Sequence, residues 1–383
     1  MGRRATPATS IRTVERIPSM PLEQPMPHLP AVLLAVSLTL VAGGPARPGV
    51  TPSTTHPSAP TPCVDGGGVL PVPTGEFRVG VSPLEAAESL GQVVAFYPAA
   101  ACTGLHPPYL RPELVTALGL VPSTLDPIVV HAEAGAAPLA GSPRPVVLLA
   151  PGWTSLIALS TALATDLASH GYVVIAADPP LGGEATTFPD SDAAARRLEA
   201  LSALLDLLDD PAVASITGPL DHSRVAAGGH SYAGSVAFQL AQDDSRLAAV
   251  FDLDGVLHGA ALEAPMRVPA LVVTAEGGSA GDPSLATVLG QSPAAVGIVL
   301  RRADHYDLTD VPALASQLSA LTDSLAHGSI GPAAIAITNQ LVRVFLECVL
   351  ADTSPGERCQ PTAQSIGAGL TDVAPWSTTI PAP

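Results

Sequence analysis

Short apolar runs recur along the middle of this chain and constrain its fold more than any other feature. The clearest are 145–151, 172–178, 247–253, 269–275 and 296–301. Continuous apolar runs of this length are typical of strands that are buried on both faces of a sheet. Stretches with helical spacing, such as those at about 156–169 and 192–208, separate them. Strands alternating with helices predict an α/β chain with a mostly parallel central sheet and helices on both faces.

Both ends of this region carry weaker signals. Residues 76–82, 92–98 and 126–135 alternate enough between apolar and polar side chains to predict three further strands. The proline-rich segment 100–122 predicts a loop with a short helix, and residues 331–351 predict one more helix.

The stretch 223–234, SRVAAGGHSYAG, puts a serine between a strand and a helix. The residues before the two glycines suit a buried strand, and SVAFQLAQ after them has helical spacing. Ser231 stands at the apex, with Gly229 two places before it and Ala233 two places after it. This layout is typical of a nucleophile elbow, a tight turn that exposes a reactive serine. The alternative is a glycine-rich turn whose serine does no chemistry.

A serine hydroxyl needs a base to become a nucleophile, and the base needs an acid to orient it. Chains with this elbow carry the three residues in the order serine, acid, histidine. His258, His305 and His327 all follow Ser231. We predict that His305 is the base, because it comes directly after the run 296–301, and parallel sheets collect active residues beyond the carboxyl ends of their strands.

The residues alone leave the acid open. Asp254 comes directly after the run 247–253, whereas Glu276 and Asp282 follow the next run along the chain. Both placements can reach a histidine in this architecture. The candidates are therefore Asp254 and the Glu276–Asp282 region.

An acyl-transfer site of this kind also needs an oxyanion hole, a pair of N–H groups that stabilise developing negative charge. The backbone N–H of Tyr232, directly after the serine, is the first candidate. The second is the N–H of Trp153 in the loop 151–154, which follows the run 145–151. The alternative for Trp153 is a rim aromatic that only covers the core.

Composition excludes several function classes. The 383 residues carry a net charge of −17, which argues against nucleic acid or an anionic membrane surface as a partner. All 17 basic residues are arginine, so Schiff-base, pyridoxal-phosphate and P-loop lysines are excluded. No H-E-x-x-H or C-x-x-C motif of the kind that binds zinc occurs. We predict a site without metal or cofactor.

The chain divides into four predicted segments. Residues 1–46 predict a secretory signal, because arginines precede the apolar run 31–42 and small residues follow it. Residues 47–75, rich in proline, threonine and serine, predict a disordered linker. The catalytic domain is expected at 76–360 and a loose tail at 361–383. The mature protein would be extracellular with no transmembrane anchor; the alternative is a buried N-terminal helix.

Four cysteines, an even number in a chain with a predicted export signal, indicate disulfides. Cys348 and Cys359 are close in sequence and would join the last helix to the tail. Cys63 and Cys102 would then form the second bridge. Three pairings are possible, and four free thiols are the alternative.

Residues of about 90–350 resemble the platelet-activating-factor acetylhydrolase group of the α/β-hydrolase superfamily, which includes lipoprotein-associated phospholipase A2 and bacterial relatives. The stretches GHSYAG, FDLDG, DHYDLTD and SHGYVVIAADPP carry this resemblance. It implies an α/β-hydrolase fold with Ser231 as nucleophile, Asp254 as acid and His305 as base. It also implies a secreted esterase without a metal, acting on short-chain esters or phospholipids.

Two departures from this group keep other functions open. Ala233 replaces a glycine of the elbow, and the stretch PGWT at 151–154 is similar to the loop of secreted cutinase-like polyester hydrolases. That second resemblance implies an acid one strand later, in the Glu276–Asp282 region. A protein with the same fold that binds a lipid or a partner without catalysis is the third possibility.

Overall fold

The computed structural model describes residues 67–117, 120–153, 155–178, 191–315, 328–353 and 358–376. The predicted signal, most of the predicted linker and Thr154, His327 and Cys63 lie outside these residues. Among the described residues, no helix has the length and apolar character needed to cross a bilayer.

A single ten-stranded sheet organises the described chain. Its strands are β1 (Arg78–Leu84), β2 (Gln92–Ala99), β3 (Glu133–Ala134), β4 (Arg144–Ala150), β5 (Val173–Asp178), β6 (Leu220–His230), β7 (Leu247–Leu253), β8 (Ala270–Ala275), β9 (Ala295–Leu300) and β10 (Val373–Pro375). They lie in the order β10-β9-β8-β7-β6-β4-β5-β2-β1-β3. From β5 through β4, β6, β7 and β8 to β9 all pairs are parallel, whereas β2 is antiparallel to β1 and β5 and β10 is antiparallel to β9.

Helices cover both faces of this sheet, as the sequence predicts. They are α1 (Pro112–Ala117), α2 (Thr161–Ser169), α3 (Ser191–Leu207), α4 (Pro211–Thr217), α5 (Tyr232–Asp243), α6 (Pro283–Gln291), α7 (Val311–Ala315), α8 (Ala333–Val349) and α9 (Ala363–Ile366). One core layer contains Leu167 of α2 and Phe345 of α8, and the other contains Leu204 of α3 and Phe238 of α5. The prediction of a mostly parallel sheet between two helical layers is confirmed.

The segment 126–135 is not the full strand that its pattern predicts. Only Glu133–Ala134 pairs with the sheet, next to β1. Ile128, Val130 and Ala132 are nevertheless buried, at 5%, 4% and 1% exposure. The alternation therefore reflects side chains packed into the core from an unpaired segment.

Residues near both predicted domain boundaries make contacts with the sheet and its helices. At the N-terminal end, the Thr74 backbone N–H donates to Asp166 and the Gly75 N–H donates to Ser169 of α2. At the C-terminal end, the described part of the predicted tail contains α9 and β10, and β10 pairs with the free edge of β9. The division of the chain into domains stays a prediction.

A disulfide joins Cys348 at the end of α8 to Cys359, as predicted. It anchors the segment that leads into α9 and β10. Cys102 is also disulfide-bonded, and Cys63, the partner that the sequence predicts for it, lies outside the described residues.

Candidate active site

Ser231 occupies a strained turn between β6 and α5. Its backbone angles are φ 59° and ψ −129°, in a region that residues other than glycine seldom adopt. A Cβ on Gly229 would lie 2.4 Å from the carbonyl oxygen of Ala150 and 2.8 Å from the Cβ of Ala233. Glycine at 229 therefore makes room for the methyl group of Ala233, the residue that departs from the usual elbow. A strained serine at such a turn is the signature that the sequence predicts.

Backbone hydrogen bonding fixes this turn to the neighbouring strand. The Ser231 N–H donates to the carbonyl oxygen of Leu253 at 2.8 Å. Among the described residues, the Ser231 hydroxyl makes no hydrogen bond, so no other side chain there engages it.

His305 and Asp254 come together although 51 positions separate them in the sequence. The Nδ1 of His305 lies 2.7 Å from Oδ2 of Asp254, and this carboxylate is fully buried. Because a carboxylate accepts hydrogen bonds, Nδ1 carries the ring proton and Nε2 presents a lone pair. The imidazole is thus oriented as a general base needs to be.

Three further hydrogen bonds fix the Asp254 carboxylate. Its Oδ1 accepts from the backbone N–H groups of Ala275 at 2.8 Å and Ser279 at 2.9 Å, and from the Ser279 hydroxyl at 2.7 Å. A Cβ on Gly278 would collide with the same carboxylate. The Asp254 carboxylate, which follows β7, is therefore held by the end of β8 and the loop after it.

The alternative acids have other partners. Oε2 of Glu276 accepts the N–H of Arg302 at 2.8 Å. Asp282 is the N-cap of α6, where it accepts the N–H of Ser284 at 2.8 Å. Within the described residues, Asp254 is the carboxylate that bonds the imidazole ring of His305, whereas Asp304 accepts its backbone N–H.

His258, the second histidine considered, lies away from this pair. It precedes the short helical turn Gly259–Leu262, and its ring centroid is 6.3 Å from that of Tyr232. Burial lowers its pKa below the usual value. His327 lies outside the described residues.

His230 contributes a contact that the sequence did not reveal. Its Nε2–H donates to the carbonyl oxygen of His305 at 2.8 Å, and the two ring centroids are 4.4 Å apart. Burial, reinforced by the neighbouring His305, lowers the pKa of His230 to about 3. A neutral His230 therefore holds the backbone of the residue predicted to be the base.

The loop after β4 passes directly beside the elbow. A Cβ on Gly152 would lie 3.2 Å from the Cβ of Ser231 and 3.1 Å from the carbonyl oxygen of His230. Trp153 and Tyr232, the two predicted oxyanion-hole residues, pack edge to face with ring centroids 5.4 Å apart. Tyr232 is the first residue of α5, where backbone N–H groups have no partner within the helix. Both N–H groups thus belong to segments that meet at the serine.

Arg197 on α3 supports this loop from behind and was not expected from the sequence. Its Nη1 donates to the carbonyl oxygen of Pro151 at 2.6 Å, and its Nη2 donates to that of Gly152 at 3.1 Å. The guanidinium carbon lies 5.9 Å from the centroid of the Trp153 ring. In the sequence, Arg196 and Arg197 together look like part of a solvated helix face, so no pattern marks the second of them.

No group of three or more histidine, cysteine, aspartate or glutamate side chains within the described ranges is arranged to hold a metal ion. The chemistry available at the site is that of the hydroxyl, imidazole and carboxylate groups described above.

Comparisons with known proteins agree with this architecture. Residues 138–289 match the PET hydrolase-like family, a range that includes Ser231 and Asp254 and ends before His305. Cutinase 2 of Thermobifida cellulosilytica is 33% identical over 130 residues, which cover 34% of this chain and 46% of that protein. Cutinase est1 of Thermobifida alba is 35% identical over 107 residues, which cover 28% of this chain and 33% of that protein. The chain therefore spans less than half the length of these curated relatives.

A solved structure extends the likeness over most of the chain. A ferulic acid esterase from Streptomyces cinnamoneus superimposes with a TM-score of 0.66 at 24% identity, covering 82% of this chain and 100% of the esterase. This likeness establishes the fold. The protein has the α/β-hydrolase fold, with a strand–serine–helix elbow at the carboxyl edge of its sheet.

Proposed function

We propose that this protein is a serine-dependent carboxylic-ester hydrolase of the cutinase-like kind. The observation that carries the proposal is the 2.7 Å contact between His305 and the buried Asp254, on the loops beside a strained Ser231. A serine, a histidine with a fixed tautomer and a buried carboxylate are the components of covalent ester hydrolysis.

In the proposed first half-reaction, the Ser231 oxygen attacks the carbonyl carbon of the ester while Nε2 of His305 takes the hydroxyl proton. The resulting oxyanion accepts hydrogen bonds from the N–H groups of Trp153 and Tyr232. When the C–O bond to the alcohol breaks, His305 returns the proton to the leaving oxygen. Alcohol departs, and the acyl group stays on Ser231.

In the second half-reaction, His305 removes a proton from water, and the hydroxyl attacks the acyl carbon. A second oxyanion forms and collapses, and the proton returns to the Ser231 oxygen. The carboxylic acid leaves, and the free serine is regenerated. Asp254 keeps Nδ1 protonated throughout and stabilises the imidazolium that forms in each half.

The choice of substrate class follows the sequence relatives. The matched family is described as PET hydrolase-like, and the curated relatives are cutinases, so we propose an ester in a polyester or cutin-type chain. None of the relatives named above is a phospholipase, the specificity that the first resemblance implies. One observation still favours it: the contact of His305 is with Asp254, the acid position implied by the acetylhydrolase resemblance.

Labelling with a fluorophosphonate probe tests the nucleophile. We expect the probe to modify Ser231 in the wild-type protein and to leave Ser231→Ala unmodified. Hydrolysis of p-nitrophenyl acetate and butyrate by Ser231→Ala is expected to fall by about 10³-fold or more. A folded wild-type protein that neither reacts with the probe nor hydrolyses these esters, while binding lipid, would instead support the non-catalytic alternative.

A substrate panel separates the two esterase proposals. Release of soluble acid from an amorphous polyester film or from cutin is the result expected for a cutinase-like enzyme. Faster turnover of a short-chain phosphocholine ester, with the film left intact, would replace that proposal with the phospholipase-type one.

Export remains a prediction, because residues 1–46 lie outside the described structure. Mass analysis of the protein recovered from culture medium would identify the mature N-terminus, which we expect soon after residue 46.

A further inference from the structure

The guanidinium of Arg197 binds two consecutive peptide groups of the loop beside the elbow. Arg197 is 9% exposed, so these contacts are made away from bulk water. The bonds to the Pro151 and Gly152 carbonyl oxygens are 2.6 and 3.1 Å long. Hydrogen bonds from a charged donor are shorter and stronger than neutral ones, and a planar guanidinium can make two of them in one fixed geometry.

Peptide planarity converts these two contacts into a constraint on N–H directions. In a trans peptide, the C=O and the following N–H lie in one plane and point in opposite directions. The Gly152 carbonyl therefore fixes the direction of the Trp153 N–H, and the Pro151 carbonyl fixes that of Gly152. Because Arg197 holds both oxygens on its own side, both N–H groups point away from the guanidinium.

The backbone of this loop also passes close to the elbow. A Cβ added to Gly152 would lie 3.2 Å from the Cβ of Ser231, so the Gly152 backbone leaves no room for a side chain beside the serine. The Gly152 oxygen also accepts the N–H of Ser155 at 3.1 Å, which closes the turn around the same peptide. The peptide between Gly152 and Trp153 is thus held at its oxygen by two donors.

We infer that Arg197 is the positioning residue of the oxyanion hole, acting through the two carbonyl groups to aim the Trp153 N–H at the developing oxyanion. This inference rests on the proposed function. The cation also polarises both peptides, which makes their N–H groups better donors to negative charge. Its effect belongs to the transition state, because the ester in the ground state carries little charge on its carbonyl oxygen.

The test compares variants of Arg197 with a matched variant of its neighbour. Arg197→Met removes the donors and keeps most of the side-chain length, Arg197→Lys keeps the charge with a single point of attachment, and Arg196→Met is the control. Arg196 is exposed and makes none of these contacts. Steady-state kinetics on p-nitrophenyl butyrate, the rate of fluorophosphonate labelling and the thermal unfolding midpoint are measured for each.

We expect kcat of Arg197→Met to fall about 100-fold, the size of losing one oxyanion-hole donor. KM is expected to change less than about 3-fold, because the ground state loses little binding. Labelling should slow in parallel, since the attack on phosphorus also places charge on an oxygen. The kcat of Arg197→Lys should lie between those of Arg197→Met and wild type, and the kcat of Arg196→Met should match wild type. A further variant, Arg197→Ala, leaves space for a free guanidinium ion, and millimolar guanidinium should restore part of its activity.

Several results would overturn the inference. One is a folded Arg197→Met protein with wild-type kcat; another is a loss confined to KM or to the unfolding midpoint. If the Met and Ala variants do not fold, the Lys variant decides, and a wild-type kcat with a lowered midpoint would reduce Arg197 to a structural role. Failure of the proposed function looks different, because wild type itself would then show no turnover and no labelling of Ser231.

Discussion

The Asp254 carboxylate accepts hydrogen bonds from several groups besides the His305 imidazole. Its second oxygen accepts the N–H groups of Ala275, the last residue of β8, and of Ser279 in the loop that follows. The cutinase-like resemblance implies an acid in the Glu276–Asp282 region. In this structure a residue of that region, Ser279, donates to the Asp254 carboxylate.

If Asp254 is the catalytic acid, its substitution should lower activity far more than substitution of Asp282. Asp254→Asn should lower kcat on p-nitrophenyl butyrate by about 10⁴-fold, because an amide favours the wrong imidazole tautomer. Asp282→Asn should keep kcat within about 3-fold and cost at most about 1 kcal/mol of stability, because asparagine is itself a good N-cap. Activity lost only in Asp282→Asn would move the acid to the loop after β8.

The buried His230 makes the stability of the folded protein depend on pH. Its folded-state pKa of about 3 lies below the ordinary value of 6.5 because the ring is buried. A depressed histidine pKa means that the stabilising contribution is complete above pH 6.5 and is lost as the pH falls towards 3.

Urea denaturation of His230→Gln tests this dependence. The glutamine amide can still donate to the His305 carbonyl but does not titrate. We expect wild type to lose unfolding free energy relative to the variant below pH 6.5, with a slope of up to about 1.4 kcal/mol per pH unit. A difference between the two proteins that stays constant from pH 8 to pH 4 would contradict the assignment.

Among the elements, α2 has a cap that comes from a distant loop. Asp310, which follows the His305 loop, is buried and accepts the backbone N–H of Ala162 at 3.2 Å. Tyr109 donates its hydroxyl to the same carboxylate at 3.3 Å. The loop that carries His305 is thereby joined to the helix that follows the loop of Trp153.

Burial raises the pKa of Asp310 to about 7 from 3.8, and the sign is opposite to that of His230. Stability from this group is complete below pH 3.8 and is lost as the pH rises through 7. Asp310→Asn should therefore be more stable than wild type at pH 8 and lose that advantage at pH 4, as measured by chemical denaturation. Tyr109→Phe keeps the carboxyl but loses a hydrogen bond that lowers the Asp310 pKa, so it is the comparison that should still lose stability as the pH rises.

Strands and helices with a clear apolar pattern in their own sequence were predictable. The bounds of elements that depend on packing or pairing with other segments were not. β7 matches its apolar run at 247–253 because both faces of that strand are buried. β6 is longer than its apolar run, because it already begins at Leu220 and includes the exposed His222. The helix α4, Pro211–Thr217, was missed because about two turns capped by Asp210 have too few positions to show a period.

The same distinction applies to the site. Ser231 and His305 were predictable because strand ends in a parallel sheet meet at one edge. That rule left the acid open between Asp254 and the Glu276–Asp282 region, and the structure brings His305 and Asp254 into contact. Arg197 and His230 were not, because their roles consist of bonds to backbone carbonyls, which any sequence provides. The catalytic roles of all these residues stay predictions until the variants are measured.

At the scale of the whole molecule, the C-terminal strand closes one edge of the sheet. β10 pairs with β9, and the indole N–H of Trp376 donates to the carbonyl oxygen of Ala280 at 2.9 Å. A Cβ on Gly297 would lie 2.7 Å from the Cβ of Trp376, so this ring sits directly on the backbone of β9. Without it, an apolar strand would present unpaired backbone groups to solvent.

Truncation tests this role. A chain ending at Gln360 lacks α9, β10 and Trp376, and we expect it to lose about 2 kcal/mol or more of unfolding free energy and to aggregate on heating. A chain ending at Trp376 keeps these contacts and serves as the control. Equal unfolding midpoints and equal light scattering for the two chains would show that the strand is dispensable.

The hydrogen bond from the Ser231 N–H to the Leu253 carbonyl bears on which part of the site should be least resistant to heat or solvent. Leu253 directly precedes Asp254, so the turns bearing the hydroxyl and the carboxylate are fastened to each other at adjacent peptides. His305 arrives on a separate loop, after β9. Heat or organic solvent should thus displace the imidazole first, and stabilising substitutions belong on the segment from Ala303 to Asp310.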